Sequence, residues 1–240
     1  MNPILLSSEN LDFMIHGLFK YNFFGHEVWI TTTHVSTLIV ILLILAFCVA
    51  ANRAIVKADP EKAPGTFQNI AELVVEMLGN MVKGVMGKNA PKFANYIGTL
   101  FIFILISNIS GVFGLRAPTA DYGVTLPLGI ITFCLIFYNK IKYQKVSGFI
   151  KGLCNPWPFW APINIISDVA VPVSLSLRLF ANVLSGTVML ALYYGLLPIF
   201  VKVGIPSALH LYFDLFSGAI QTYVFCMLTM TYVTDAIGEG

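Results

Sequence analysis

The chain has few charges for its length. Only 11% of its 240 residues are Asp, Glu, Lys or Arg, whereas about 25% is usual for a soluble domain. Apolar residues make up 57% of the chain, and they are collected in runs long enough to cross a bilayer. These numbers exclude an ordinary soluble domain and predict an all-α polytopic membrane protein.

Several other features are missing, and each absence excludes a class of function. The net charge is only +2 and there is no basic stripe, so we expect no nucleic-acid partner. The four cysteines and four dispersed histidines lack the spacing of a disulfide framework or a metal site. There is no glycine-rich phosphate loop and no basic segment typical of a cleaved signal peptide. We therefore expect no metal, no cofactor and no enzymatic centre in this chain.

The apolar runs predict one membrane domain over residues 1–240. Its middle contains an amphipathic helix, with Gln68, Glu72 and Glu76 largely opposite the apolar face, which is typical of a helix lying in the interface. The predicted elements are an outside arm (1–34), a first span (35–52), the interfacial helix (66–87), a helical hairpin (93–141) and a pair of long helices (159–236).

The last two apolar stretches are longer than a bilayer requires. Residues 159–201 and 203–233 would form helices of about 64 Å and 46 Å, against about 30 Å of hydrocarbon. The first could break at Pro162 or Pro172 or fold as a hairpin, whereas the second has no proline after Pro206. We predict two long, strongly tilted helices beside three roughly perpendicular spans.

The distribution of Lys and Arg predicts the orientation. Residues 1–34 contain one basic residue, residues 53–92 six, residues 115–121 one and residues 140–151 four. Cytoplasmic loops carry the excess of positive charge. We therefore expect the N-terminus outside and both basic loops in the cytoplasm. The C-terminus has no basic residue of its own, and we expect it in the cytoplasm. We also expect the membrane to be the plasma membrane of a bacterium.

Arg178 is the only charged residue between Asp168 and Lys202. Its guanidinium stays charged at any accessible pH and costs about 2.5–3.5 kcal/mol at the centre of a membrane helix. At 100° per residue, four polar residues lie within about 40° of it, namely Ser167, Ser174, Asn182 and Ser185. A permanent charge inside a polar stripe indicates an ion path.

The second long helix repeats this design, with His210, Asp214, Ser217 and Gln221 at helical spacing. Both stripes are predicted to face each other. Three simpler interpretations stay open at this point. The polar groups could join helices by hydrogen bonds, Arg178 and Asp214 could form an intramembrane ion pair, and His210 could be an interfacial histidine.

Two strings resemble subunit a of the rotary F-type ATP synthases: PVSLSLRLFAN (172–182) and AIQTYVFCMLTMTYV (219–233). The likeness extends to the NISGVFG segment (108–114) and the PTAD turn (118–121), and covers nearly the whole chain. It implies that Arg178 is the stator arginine facing the carboxylates of the rotating c-ring, with Asn182 and Gln221 as polar neighbours. It also implies that Ser174 borders the cytoplasmic half-channel and that Asp214 lies in the outward one.

At three positions the chain departs from the pattern that it resembles. Thr187 and Asn164 stand where many relatives carry a titratable residue, and Gly123 stands where asparagine is usual. Asp168 is then the only carboxylate near the mouth of its helix, where it could line a water funnel or simply reach the interface.

The resemblance implies a non-catalytic subunit that passes protons to and from the c-ring, with ATP chemistry on partner subunits. Its expected partners are the c-ring, the peripheral-stalk b subunits, the remaining subunits and the lipid bilayer. Sodium in place of protons is one alternative, and a secondary transporter or another ion-translocating subunit is a second. A transporter would favour inverted repeats, which the sequence lacks.

The predicted orientation can be tested by chemical labelling. In a chain whose native cysteines are replaced, Ala58→Cys and Lys145→Cys should react with an impermeant thiol reagent only from the cytoplasmic side, since both positions lie in basic loops. Labelling of both positions from outside would overturn the orientation.

Overall fold

A computed structural model describes residues 17–23, 26–56, 65–113, 115–153, 157–196, 209 and 211–238. Within them, five helical stretches are long and apolar enough to cross a membrane: Thr32–Val56, Thr66–Phe113, Tyr122–Lys145, Ala161–Tyr193 and Leu211–Ile237. The chain is therefore a multi-pass helical membrane protein, and the predicted fold class is confirmed.

Six α-helices make up most of the described structure: α1 (Thr32–Val56), α2 (Thr66–Met86), α3 (Ala90–Ile109), α4 (Tyr122–Leu153), α5 (Ala161–Leu196) and α6 (Gly218–Ile237). A π-helical segment, Leu211–Ser217, leads directly into α6. Short 3-10 turns occupy Gly87–Asn89, Ser110–Phe113, Pro118–Ala120 and Pro158–Trp160.

The N-terminal arm contains the one feature outside the predicted helical scheme. Strands β1 (Gly17–Phe23) and β2 (His26–Thr31) form an antiparallel hairpin immediately before α1. The signal for it is the alternation of aromatic and polar residues from Phe19 to Phe23, which is typical of a strand.

Helix α4 runs antiparallel to α5, and the last helix runs antiparallel to α3 and α5, so that two ends of the bundle can be distinguished. At one end Lys140 of α4 pairs with Asp168 of α5, and we call this the basic end. At the opposite end the ring of Tyr122 lies 5.6 Å from that of Phe180. Between the ends, a buried apolar core joins α2, α3, α5 and α6, with Val82, Ile97, Leu179 and Met230 among its least exposed members.

Helix α1 contributes little to this core. Only Thr33, Ser36 and Val40 are buried in it, whereas Leu38, Leu42 and most of its other apolar side chains are exposed. Helix α2 instead packs on α3, because Gly87 at φ +50° reverses the chain between them and Leu78 lies against Gly98. The interfacial position of α2 stays a prediction.

Helix α5 is continuous over 36 residues and contains Pro172 in its interior. The break at Pro162 or Pro172 and the hairpin, which the sequence left open, are therefore not present. At 1.5 Å per residue α5 is about 54 Å long, which is more than the roughly 30 Å of hydrocarbon that it has to cross. The tilt of α5 therefore stays a prediction with the same physical basis. Helix α4 extends past the predicted end of its hairpin at residue 141, and a kink at Lys145 (φ +57°) divides it into two helical segments.

Helices α4 and α5 approach most closely at Gly129. A Cβ atom at this position would lie 2.7 Å from the carbonyl oxygen of Pro172 and 3.1 Å from Cβ of Ser176. Small residues allow such close approach of helix backbones in membranes. Gly129 thus fixes the distance of α5 from α4.

We expect Gly129→Ala to destabilise the protein by about 1–3 kcal/mol, because the added methyl group over-packs this contact. Gly84→Ala is the matched control, since a Cβ atom there meets nothing within 4 Å, and it should be neutral or stabilising by up to about 1 kcal/mol. The thermal midpoint of the detergent-purified protein measures both effects. Equal midpoints for the two variants would contradict the close contact.

Candidate functional site

Most of the polar stripe of α5 faces away from the other described helices, and Asn182 is the exception described below. Ser174, Arg178 and Ser185 are exposed, whereas Leu175 and Leu179 on the other side of the helix are 2% and 0% exposed. The helical period that the sequence predicts thus separates a core face from a polar face. The guanidinium of Arg178 is presented to whatever covers this side of α5.

Arg178 and Asp214 do not form an ion pair. Among the residues that the structure describes, Arg178 has no acidic partner, and the ion pair present is that of Lys140 and Asp168. Of the simpler interpretations that the sequence left open, the intramembrane Arg178–Asp214 bridge is therefore excluded.

Two contacts define how α5 and the last helix face each other. The Ser217 hydroxyl donates a hydrogen bond of 3.1 Å to the Asn182 side-chain oxygen. One turn further along α5, a Cβ atom at Gly186 would lie 3.4 Å from Cβ of Phe213. Continuing this antiparallel register by one turn in the other direction places Gln221 at the level of Arg178.

Gln221 is turned into the bundle. It is only 8% exposed, and its side-chain nitrogen has no hydrogen-bond partner among the described residues. A buried amide without a partner is rare and calls for an explanation, such as a water or an ion. The two predicted stripes thus meet at Asn182 and Ser217, but at the next turn α5 directs Arg178 outward while α6 directs Gln221 inward.

Asp214 lies against the turn that follows α3. Its carboxylate is half-buried and is the nearest group to Gly111, with its Cγ 3.3 Å from the position a Cβ would take there. Asp214 precedes Gln221 by seven residues, which is about 10 Å along a helix. It is therefore displaced from Arg178 toward the end opposite the basic end.

Asp168 is displaced from Arg178 in the other direction, by ten residues or about 15 Å. Its carboxylate accepts a hydrogen bond of 2.7 Å from the ammonium group of Lys140. The pair borders a cavity of about 320 Å³ between α4, α5 and α6, which Ser167, Tyr232 and Asp235 also line. Asp168 is thus fixed at the rim of a cavity.

The remaining predicted residues are less informative. Thr187 is exposed and donates to the carbonyl of Leu184 in its own helix, and Asn164 is half-buried near the start of α5. His210 lies outside the described residues. No group of three His, Cys, Asp or Glu side chains that could hold a metal ion occurs in the part of the chain that is described.

Two residues of the site were missed by sequence reasoning. In the sequence Lys140 is one of several basic residues that indicate topology, whereas in the structure it is the partner of Asp168. Asn108 belongs to the NISGVFG segment, and the structure shows that its side chain bonds to α6 and to Thr119. An asparagine in an otherwise apolar span is the signal that could have identified it.

The chain matches known proteins over most of its length. The family model "ATP synthase A chain" matches residues 34–234. A sodium-ion-specific ATP synthase subunit a of Propionigenium modestum is 37% identical, covering 88% of this chain and 75% of the relative. An ATP synthase subunit a of Desulforamulus reducens is 36% identical, with coverages of 85% and 78%. With the polar face of α5 and its central arginine, these matches show that the chain belongs to the family of ATP synthase subunit a.

Proposed function

We propose that this chain is the stator of a rotary ATP synthase and supplies two offset half-channels to the c-ring. Ions enter one half-channel, ride on a ring carboxylate around the rotor and leave through the other. ATP is made on other subunits. The energy available is about 2.3 kcal/mol per charge for each 100 mV.

The observation that carries the proposal is the exposed guanidinium of Arg178 without an acidic partner among the described residues. A permanent charge in an apolar helix requires a counter-charge or water. A carboxylate on a rotating partner is a counter-charge that comes and goes. Arginine suits this role better than lysine, because it stays charged in a medium of low dielectric constant.

The two carboxylates on either side of Arg178 support the offset of the half-channels. We assign Asp214, with Ser217 and Gln221, to the outward half-channel. We assign Ser174, together with the cavity at Lys140 and Asp168, to the cytoplasmic half-channel. Because Arg178 lies between the two levels, an ion cannot cross along one continuous file of water.

Protons are the coupling ion that we propose, and sodium is the second candidate. The observation that favours sodium is the similarity to the subunit a of Propionigenium modestum, which is named as sodium-ion specific. We assign the choice between the two ions to the carboxylate site of the ring, because that site holds the ion during rotation.

The proposed surroundings follow from the exposed surfaces. The polar face of α5 faces the c-ring, and the apolar side chains of α1 face lipid or the peripheral-stalk b subunits. The basic end, with Lys92 and Lys140, lies in the cytoplasm, which agrees with the orientation predicted from the basic loops. The membrane is then the plasma membrane of a bacterium.

Replacement of Arg178 should uncouple the complex. We expect Arg178→Ala to abolish ion-driven ATP synthesis while the assembled membrane sector leaks ions, because nothing then separates the half-channels. Arg178→Lys should also fail in coupling, since a buried ammonium group can lose its proton. Uptake of protons and of sodium into vesicles under an imposed potential measures the leak and identifies the ion.

The control for this experiment is Arg53→Ala, which removes an exposed arginine from the end of α1 and should leave coupling intact. Complex abundance is measured in parallel. Loss of the complex without a leak would indicate a purely structural role for Arg178, and normal synthesis in Arg178→Ala would remove it from the mechanism.

Replacement of Asp214 tests the outward half-channel. We expect Asp214→Asn to slow ion-driven ATP synthesis several-fold without loss of assembly, because an amide cannot exchange a proton. Asp214→Glu and Asp214→His should retain more activity, since both can titrate. Glu76→Gln, which neutralises an exposed carboxylate of α2, is the control. Synthesis at the wild-type rate in Asp214→Asn would show that this assignment is wrong.

A further inference from the structure

The last helix changes its winding next to the proposed outward half-channel. Residues Leu211–Ser217 are π-helical, and the α-helical part begins at Gly218. π-helical turns are rare and frequently occur at functional sites. Since Asp214 belongs to this segment, the winding decides which neighbour its carboxylate meets.

A buried asparagine of α3 binds the chain at this junction. The side-chain amide of Asn108 donates hydrogen bonds to the carbonyl oxygen of Gly218 (3.0 Å) and to the hydroxyl oxygen of Thr222 (3.2 Å). Its side-chain oxygen accepts a bond of 2.6 Å from the Thr119 hydroxyl. Asn108 is 3% exposed, and both threonines are fully buried. Both donor hydrogens of the amide are thus used, and the amide cannot rotate without loss of bonds.

The backbone itself is close to Asn108 at this point. A Cβ atom at Gly218 would lie 2.9 Å from Cβ of Asn108, so only glycine permits the approach. Four residues earlier, the Asp214 carboxylate lies against Gly111, which follows Asn108 by three residues. Asn108–Gly218 and Gly111–Asp214 are therefore successive contacts of one antiparallel register.

The π-helical winding turns Asp214 away from α5. An α-helix advances by 100° per residue, and a π-helix by roughly 80°. Over the three steps from Asp214 to Ser217 the difference is roughly 50–60°. With α-helical winding, Asp214 would lie between the directions of Gly218 and Ser217, about 40° from the first and about 60° from the second, and Ser217 bonds to Asn182 of α5. The observed winding rotates Asp214 away from the Ser217 side, and its carboxylate lies against Gly111.

We propose that Asn108 is a positioning residue for Asp214. By holding Gly218 and Thr222, its amide fixes the junction between π and α winding, and the junction holds the Asp214 carboxylate on the α3 side of the last helix. Without the amide, the segment relaxes to α-helical winding and Asp214 turns toward α5. The role of Asp214 in transport rests on the proposed function, whereas its position does not.

The position of residue 214 can be measured by crosslinking, independently of activity. In a chain whose native cysteines are replaced, Gly111→Cys and Asp214→Cys place two thiols side by side, because the Cβ position at Gly111 lies 3.3 Å from Cγ of Asp214 and a disulfide joins Cβ atoms roughly 4 Å apart. The pair should crosslink readily on mild oxidation of the assembled complex. Adding Asn108→Leu, which keeps the shape but removes the donors, should lower the yield several-fold.

Asn139→Leu is the matched control for this substitution. Asn139 is also a buried helical asparagine, at 4% exposure, but its amide donates to Leu135 within its own helix. Asn139→Leu should therefore leave the yield of the 111–214 crosslink unchanged. Thr119→Val removes only the bond that orients the Asn108 amide and should lower the yield by a smaller factor. Thr119→Val is the variant to measure if the complex with Asn108→Leu does not assemble.

The outcomes separate this inference from the proposed function. Lower yield with Asn108→Leu or Thr119→Val, but not with Asn139→Leu, supports the positioning role. A parent pair that does not crosslink, a yield unaffected by both junction variants, or an equal loss with Asn139→Leu overturns it. In chains that retain Asp214, Asn108→Leu should also slow ion-driven synthesis several-fold. If Asp214→Asn leaves transport unchanged, only the proposed function of Asp214 fails, because the crosslink reports position alone.

Discussion

The charge of Arg178 is the constraint on which the arrangement of the last two helices depends. A guanidinium at the centre of a membrane helix costs about 2.5–3.5 kcal/mol even by the most lenient measure, and no described acid forms an ion pair with it. The chain therefore presents the charge on the exposed side of α5, while Leu175 and Leu179 secure the other side in the core. A continuous α5 also keeps Ser167 and Asp168 in line with this polar face, because a break at Pro172 would detach them from it.

The helices around this charge are held at fixed distances by glycine and by small polar groups. In a bilayer the hydrophobic effect does not draw helices together, so close packing and interhelical hydrogen bonds take over. Gly129 lets α4 meet the backbone of α5, and Gly218 lets α6 meet Asn108 of α3. The Asn182–Ser217 bond then joins α5 to the segment before α6. Each of these contacts sets the level of a functional side chain relative to Arg178.

The membrane spans and the polar face of α5 could be predicted from the sequence, because long apolar runs indicate the spans and a period of 100° per residue indicates the polar face. The position of Asp214 could not, since the prediction assumed the same period through a segment that is π-helical. The bond from Asn108 to Gly218 joins residues 110 positions apart, and no local pattern encodes it. For the same reason Lys140 could be identified as a topology signal but not as the partner of Asp168.

The displacement of both carboxylates from Arg178 has an electrostatic consequence for the proposed mechanism. At an effective dielectric constant of about 20, two charges about 10 Å apart attract by about 1.7 kcal/mol, against about 4 kcal/mol at 4 Å. At this distance an ionised Asp214 would attract Arg178 by less than half of what a direct ion pair provides, and Asp168 is farther away and paired with Lys140. In the proposed mechanism, a ring carboxylate that reaches Arg178 does not have to displace another carboxylate from its guanidinium group. In the proposed mechanism the same displacement keeps the two half-channels apart, and the charge of Arg178 would act both as a binding partner for the ring carboxylate and as a barrier between them.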